Sequence, residues 1–467
     1  MKKALHTIPL ILAFLIGGNL QAQQVSDNAI FYHAFRSPAS SQLNPALFPN
    51  ANWYVSLPKL DLSLSLPICY DDLGLRYDPA QDATIFNVNN FLDKICANGF
   101  GLATDVNVDV LGFGFKLLNL VSINVQTGVR VNAGANLPTG LFEFLSEGNG
   151  GEQRNFDFGT DEILSAQAYA YASVGAGVKI PLTPLTIGAR LNVLDGLAVA
   201  SADHLSIDLA TADDFSSITL TSDYIAHTAG MLNIDIDDTG RFSINPQLAI
   251  PHNFGFTFDL GLKATLNNLD LSLSLLDVGP GVHWQENTVT IVPERRGITA
   301  SFDGVPLNGL LSGGTVDTSF ISNIIDSVMA MIDYTKKADP YWYSVPSRLY
   351  FGASYTVGRI LRVGYLFQGR WSGGLLNNHG GAGTFRCNNT LSLHLHLTDW
   401  FELSASNAAT FDSKKLSILN PGAAVTIALG GCLQLYVAAD YVSSLYLTEL
   451  KAAHLYLGLN LMGKSKK

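Results

Sequence analysis

Apolar and polar residues alternate one by one through much of this chain. Leu60, Leu62, Leu64 and Leu66 are separated by Asp61, Ser63 and Ser65. Phe254, Phe256, Phe258, Leu260 and Leu262 interleave with Gly255, Thr257, Asp259 and Gly261, and Leu391, Leu393, Leu395 and Leu397 with Ser392, His394 and His396. Leu455, Leu457, Leu459 and Leu461 repeat the pattern near the end. A period of two puts successive side chains on opposite faces of a β-strand, so each segment has one apolar and one polar face. The pattern predicts strands near 53–66, 103–116, 122–135, 166–180, 185–200, 253–265, 269–276, 348–357, 361–367, 390–397, 401–411, 423–429, 433–442 and 454–462. Most approach the roughly 9–11 residues that a tilted strand needs to cross a bilayer.

The connections separate a barrel from a soluble sandwich. Segments 67–102, 136–165, 201–252, 277–347 and 368–389 are long. The connections between them, 117–121, 181–184, 266–268, 358–360 and 398–400, are short. Medium loops at 412–422 and 443–453 flank the tight Gly430-Gly431 pair. Alternate long and short connections mark an up-and-down barrel with turns at one end and loops at the other. The expected fold is all-β: a transmembrane antiparallel β-barrel of about fourteen strands with an N-terminal luminal plug and long extracellular loops. Segments 205–221 and 231–244 also alternate and would make sixteen. Asp213, Asp214, Asp235, Asp237 and Asp238 favour a hairpin above the membrane instead.

Composition agrees with this. Hydrophobic residues make up 47% and charged residues 14%, against about 25% charged in soluble domains. No mature segment has the roughly 18 consecutive apolar residues of a membrane helix, so strands must put the apolar surface into lipid. Lys2 and Lys3, the apolar run from Ile8 to Ile16, and small residues up to Ala22 form a secretory signal. Cleavage after Ala22 gives a signal peptide at 1–22, a plug segment at 23–52, a barrel at 53–463 and a periplasmic tail at 464–467, located in a bacterial outer membrane. The net charge of −11 without a basic patch excludes nucleic acid as a partner. Cys69 and Cys96 share one loop; a disulfide and two free thiols are both open.

With the apolar set facing lipid, the lumen receives Asp61, Asp109, Arg130, Lys179, Arg190, Asp259, Lys263, Asp270, Arg362, Glu402 and Asp440. Their mixed signs predict a paired network rather than the one-sign ring of an ion-selective pore. Trp53, Tyr54, Trp400, Phe401 and Tyr441 fall at strand ends, where interfacial girdles form. Gly112, Gly114, Gly175 and Gly177 are candidates for a kink at a lateral opening. Helical spacing in Phe91, Leu92, Ile95 and Cys96, after Thr139, and from Asp317 through Phe320 to Ile332 predicts three short helices covering the mouth, one of them a candidate lid.

Enzyme chemistry is not expected. GxSxG, HExxH and P-loop motifs are missing, and no catalytic residue, metal site or cofactor is assigned. His394 and His396 share a strand face that His454 approaches, but no carboxylate accompanies them. Asp235, Asp237, Asp238 and Gly240 suggest a calcium loop, yet Pro246 stands where its bidentate glutamate belongs.

Before the first strand lie Phe31, Tyr32, Phe35, Pro38-Ala39-Ser40-Ser41 and Asn44-Pro45-Ala46-Leu47. Pro45 holds Asn44 extended, and together they signal a turn. A segment with an Asn-Pro-Ala turn before the first strand of an exported barrel resembles the long-chain fatty-acid transporter type and its relatives in the type IX secretion apparatus. That resemblance implies fourteen strands and a plug, with Asn44, Pro45 and Ala46 at its turn. Pro38 to Leu57, Leu137 to Leu141 and Trp400 to Leu403 resemble an uncharacterised outer-membrane family of the Bacteroidota. The expected function is passage of hydrophobic or amphipathic small molecules past the plug. The alternative is a docking barrel in secretion or surface assembly. The expected partners are outer-membrane lipid, a hydrophobic small-molecule ligand and a protein at the extracellular loops.

Overall fold

The computed structural model describes residues 29–463 except 35–36, 50, 67–74, 79–82, 86–90, 92–94, 96–99, 138–155, 158–159, 212–216, 237–241, 247–251, 294–297, 302–333, 372, 376–384, 412–415, 431 and 441–451. The signal segment, the basic tail, Cys69, Cys96, the helices expected after Thr139 and Asp317, and Asp237, Asp238 and Gly240 lie outside the described residues. Of the helix expected at 91–96, Phe91 and Ile95 are described and both are helical.

The wall is one antiparallel sheet. Its strands are β1 (Trp53–Ser56 and Lys59–Ser65), β2 (Phe100–Leu117), β3 (Val121–Leu137), β4 (Thr160–Lys179), β5 (Leu185–Thr211), β6 (Asn253–Leu266) and β7 (Leu269–Trp284). The second half is β8 (Ser347–Val357), β9 (Leu361–Trp371), β10 (Phe385–Thr398), β11 (Phe401–Phe411), β12 (Leu416–Leu429), β13 (Leu433–Asp440) and β14 (Ala452–Met462). Each strand pairs with the next, and β14 returns to β1 through Tyr54↔Met462 and Leu60↔Leu457. The result is a closed fourteen-stranded barrel with no free edge. Pro58, which has no N–H for the ladder, interrupts β1.

Burial runs opposite to that of a water-soluble core. On β6, Phe254, Phe256, Phe258, Leu260 and Leu262 are exposed, whereas Asn253, Gly255, Thr257 and Asp259 are buried. On β10, Leu391 and Leu393 are exposed while Ser392 and His394 are buried. Every wall strand carries an exposed large apolar side chain, from Leu62 on β1 to Leu455 on β14. Water does not solvate a continuous apolar belt of that extent well, and hydrocarbon does. Trp53 and Trp400 stand outward near the short-turn end. Tyr54 corrects the girdle assignment: it is buried and faces inward, its ring filling the space beside Gly114. The turn joining β2 to β3 takes left-handed backbone at Leu118 (φ 50°) and Asn119 (φ 55°), the primed geometry that suits a tight hairpin.

Register decides between fourteen and sixteen strands. Leu185 to Gly196 on β5 pair with β6, closing the wall. Above them, Ala198 to Thr211 on the same strand pair with Ser217–Gly230. That second strand stands over β6 and is not part of the ring. Val289–Pro293 and Ile298–Ser301 add to it, and Tyr334–Lys337 adds to Val289–Pro293. Segments 201–252 and 277–347 are thus not simply loops, because their first residues continue β5 and β7 and further strands raise the wall on that side. The barrel narrows its connections at the end that holds Trp53 and Met462, and builds upward at the other.

Candidate functional site

The described residues of 29–49 lie inside the barrel. The segment is a single 3-10 turn at Ala29–Phe31, a short helix α1 (Ala39–Leu43) and the Asn44-Pro45-Ala46 turn. Ser37 Oγ accepts the Ala39 N–H at 3.2 Å and so satisfies one N-terminal donor of α1. The helix stops at Asn44, whose extended backbone (φ −157°, ψ 112°) is what a following proline enforces. Asn44 Oδ1 then accepts the Ala46 N–H at 2.9 Å, an Asx turn. Its amide nitrogen donates to Tyr32 Oη at 3.1 Å and also lies within reach of the Leu262 and Leu273 carbonyls of β6 and β7.

Three kinds of contact hold this plug. Aromatic rings from the wall enclose its first turn: Phe31 sits 5.5 Å from Tyr436 and 5.4 Å from Tyr456, and Tyr32 stacks on Tyr350 at 5.9 Å. Two arginines of the wall donate to its carbonyls, Arg190 to Gln42 at 2.6 Å and Arg362 to His33 at 3.0 Å. Glycines on the inner wall make room for the rest. A Cβ on Gly188 would lie 2.4 Å from the Pro45 carbonyl carbon, and one on Gly261 would lie 2.2 Å from Asn44 Oδ1. Gly177 receives Phe48, and Gly352 and Gly364 receive Tyr32 and His33.

Of the glycines expected at a kink, Gly177 meets Phe48 of this segment, while Gly112, Gly114 and Gly175 meet Ser56, Tyr54 and Asn124. The ladders run through Gly112↔Gln126, Gly114↔Asn124, Gly175↔Asn124 and Gly177↔Ser122, so no lateral opening lies there. An alanine at Gly188 will push the Pro45 turn off the wall while leaving the strand intact, at about 1–3 kcal/mol for overpacking. Hydrogen–deuterium exchange of amides in 29–49 will accelerate by about tenfold in Gly188→Ala, with the barrel's resistance to heat in detergent unchanged. Equal exchange in both proteins would show that the glycine does not seat the turn.

The lumen's polar residues form three groups. Lowest, Arg190 Nε pairs with Asp259 at 2.6 Å, and Asp259 also accepts from Asn192 at 3.1 Å and from the Asp277 N–H at 2.7 Å. Beside it Asp109 receives Lys59 at 2.5 Å, Gln42 of the plug at 3.0 Å, and Tyr171. On β13, β14 and β1, His454 bridges Asp440 and Asp61 at 2.7 Å each. Highest, Asp277 joins Arg348 at 2.5 Å and Arg130 at 3.3 Å, and Asp105 joins Arg370 at 2.6 Å. Arg130 also lies over the Tyr171 ring at 4.9 Å. These upper groups line a cavity of about 50 Å³ with Tyr169 and Val345.

Of the residues singled out by pattern, Asp61, Asp109, Arg130, Arg190, Asp259 and Asp440 take part in these groups. Lys263 and Asp270 pair with each other at 3.3 Å near the turns, away from the rest. Arg362 holds the plug, and Glu402 is buried on β11 opposite His396. Lys179 is exposed at the turn rim, where β4 ends. The histidines do not act together: His394 lies between the Ser404 and Ser392 hydroxyls at 2.8 and 3.1 Å, while His454 engages two aspartates. Lys59, Asp105, Arg348 and Arg370 were missed, although Lys59 shares the strand parity of Asp61 and Asp105 that of Asp109. Asp277 lay past the end set for its strand.

A model for a family of unknown function, DUF5723, matches residues 45–440. The chain belongs to that family. The DUF5723 match begins within the Asn44-Pro45-Ala46 turn and runs to the end of β13. Solved structures similar to this DUF5723 chain include the Ralstonia pickettii toluene transporter TbuX, at 10% identity and TM-score 0.41 over 95% of this chain and 99% of that one. A Pseudomonas aeruginosa FadL homologue has 9% identity and TM-score 0.41, covering 96% and 100%. The P. putida toluene transporter TodX has 10% identity and TM-score 0.40, covering 91% and 92%. No curated protein sequence matches the chain.

Proposed function

We propose that this chain is a bacterial outer-membrane barrel through which small hydrophobic or amphipathic molecules pass when residues 29–49 yield. One observation carries the reading. Among the described residues, every backbone–backbone hydrogen bond of 29–49 is internal to the segment. The plug therefore fills the lumen without being woven into the wall's sheet, and side chains alone hold it there. Such a segment can shift without breaking a wall ladder. The apolar belt on all fourteen strands supports placement in a bilayer, and the secretory signal and the loop asymmetry support the outer membrane in particular.

Removing residues 29–49 from the protein will make liposomes leak. The comparison is ion conductance in planar bilayers, together with flux of a hydrophobic dye such as N-phenylnaphthylamine, for the full chain and the plug-less chain. Both will rise without the plug. Unchanged conductance and unchanged dye flux would end the passage reading. A docking role has one observation in its favour, the sheet raised on Ser217–Gly230 beyond the belt. A stoichiometric protein recovered by crosslinking through that sheet, with no change in flux on plug removal, would favour it.

A further inference from the structure

Two of the ion pairs above the plug, Asp105–Arg370 and Arg130–Asp277, join strands that are not neighbours. Arg370 on β9 reaches Asp105 on β2 with two hydrogen bonds, 2.6 and 3.0 Å. In a ring of fourteen those strands face each other across the lumen. Arg130 on β3 meets Asp277 on β7, and Asp277 is shared with Arg348 on β8. Asn132 donates to the same Asp105 carboxylate. The segment leading into β8 also turns inward: Ser344 and Val345 are buried, Gln167 on β4 donates to the Ser344 carbonyl at 3.3 Å, and Tyr343 bonds Ser165 at 2.8 Å.

Among the described residues, the side chains of these ion pairs bond no residue of 29–49, and the Asp277 N–H, donated to Asp259, links them to the level below. The plug's contacts on the same strands, Gly352 on β8 and Gly364 on β9, lie nearer the short turns than Arg348 and Arg370 do. Asp105 likewise lies farther up β2 than the plug-bound Asp109. Among the described residues, the lumen is thus crossed at two levels by different chemistry. The lower closure is an insert held by rings, glycines and carbonyls. The upper one is a set of charges that span the bore, with the cavity of about 50 Å³ between them.

We propose that Asp105–Arg370 and Arg130–Asp277–Arg348 form a second gate, above the plug, which any permeant must part. This rests on the passage reading above and adds to it. A solute that leaves the plug's level meets crossed side chains of both signs. To pass, it must separate partly buried ion pairs, and separating one strands a charge in a low-dielectric lumen. The gate therefore limits passage even when the plug is gone.

The test compares five proteins reconstituted in planar bilayers: the full chain, the chain lacking 29–49, the chain with Asp105→Asn and Asp277→Asn, the plug-less chain with both substitutions, and the plug-less chain with Asp105→Arg and Arg370→Asp. Folding of each is checked by heat-modifiable migration. The plug-less, neutralised barrel will conduct about threefold or more above the plug-less barrel. In the plug-less background, the exchange Asp105→Arg with Arg370→Asp will restore the lower conductance, because the crossing pair is remade with its signs reversed. A purely structural effect of the substitutions would not be repaired by that exchange. Equal conductance of the plug-less barrel with and without the neutralising substitutions overturns the second gate. Failure of the plug-less chain to exceed the full chain in conductance and dye flux overturns the passage reading itself, so the two failures are distinguishable.

Discussion

Arg190→Met will destabilise the barrel by about 3–5 kcal/mol, the usual cost of leaving one member of a buried ion pair behind. Arg190 and Asp259 are both buried, 8% and 2% exposed, and their side chains meet at 2.6 Å. With methionine at 190, Asp259 keeps its hydrogen bonds from Asn192 and the Asp277 N–H but loses the cation it contacts. The plug loses a donor at the same time, because Arg190 Nη2 serves the Gln42 carbonyl. Stability and docking then separate in a second variant. Adding Asp259→Leu removes the stranded carboxyl group and will recover part of the lost stability, while exchange protection of 29–49 stays low. Urea unfolding in liposomes measures the first quantity and hydrogen–deuterium exchange the second. Recovery of both together would show that Arg190 acts on the plug only through the wall.

Acid will release the plug, and His33 sets the range. Its imidazole is buried between Gly352 and Gly364, with Nε2 at 3.0 Å from the Tyr365 carbonyl on β9. Burial is the main cause that pulls its pKa from 6.5 down to about 4. The Tyr365 carbonyl opposes that fall, Arg362 adds to it, Asp270 opposes it and Lys263 adds to it. His394 on β10 is a further titratable neighbour. At neutral pH the ring is uncharged whether docked or free. Below about 6.5 the free segment binds a proton that the docked one refuses, so docking weakens as pH falls and the loss is complete near pH 4. The full difference is about 3–4 kcal/mol, roughly three-hundredfold in the docking equilibrium. Amide exchange in 29–49, corrected for the intrinsic pH dependence of exchange, will rise between pH 7 and pH 4.5. His33→Gln keeps a donor for Tyr365 and will flatten that rise. The same rise in His33→Gln would assign it to another group.

Local chemistry was legible in the residues themselves. Alternation on β6 and β10 marks strands because a strand's side-chain period is two, whatever surrounds it. The Asn44-Pro45-Ala46 turn is equally local, since a proline restricts the residue before it and an asparagine can close a turn with its own side chain. Low charge together with alternate long and short connections carried the step from strands to a barrel. Inward parity likewise placed Asp61, Asp109, Arg190 and Asp259 on one face, because register follows from alternation once the apolar face is assigned.

Other features needed the ring. Ser217–Gly230 alternates as the wall strands do, and only its pairing with the upper part of β5 keeps it out of the barrel. Tyr54 sits at a strand end like Trp53, yet the pleat turns it inward onto Gly114. Gly188 and Gly261 look like ordinary weak points of a strand until the plug is seen to rest on them. The pairing of Asp105 with Arg370 joins residues 265 positions apart. Strand periodicity, turn chemistry and apolar content are properties of neighbouring residues, so the chain alone determined the strands, their faces and the plug's turn. Which side chains meet across the bore depends on the number of strands and on how the sheet closes, and only the tertiary structure decided that.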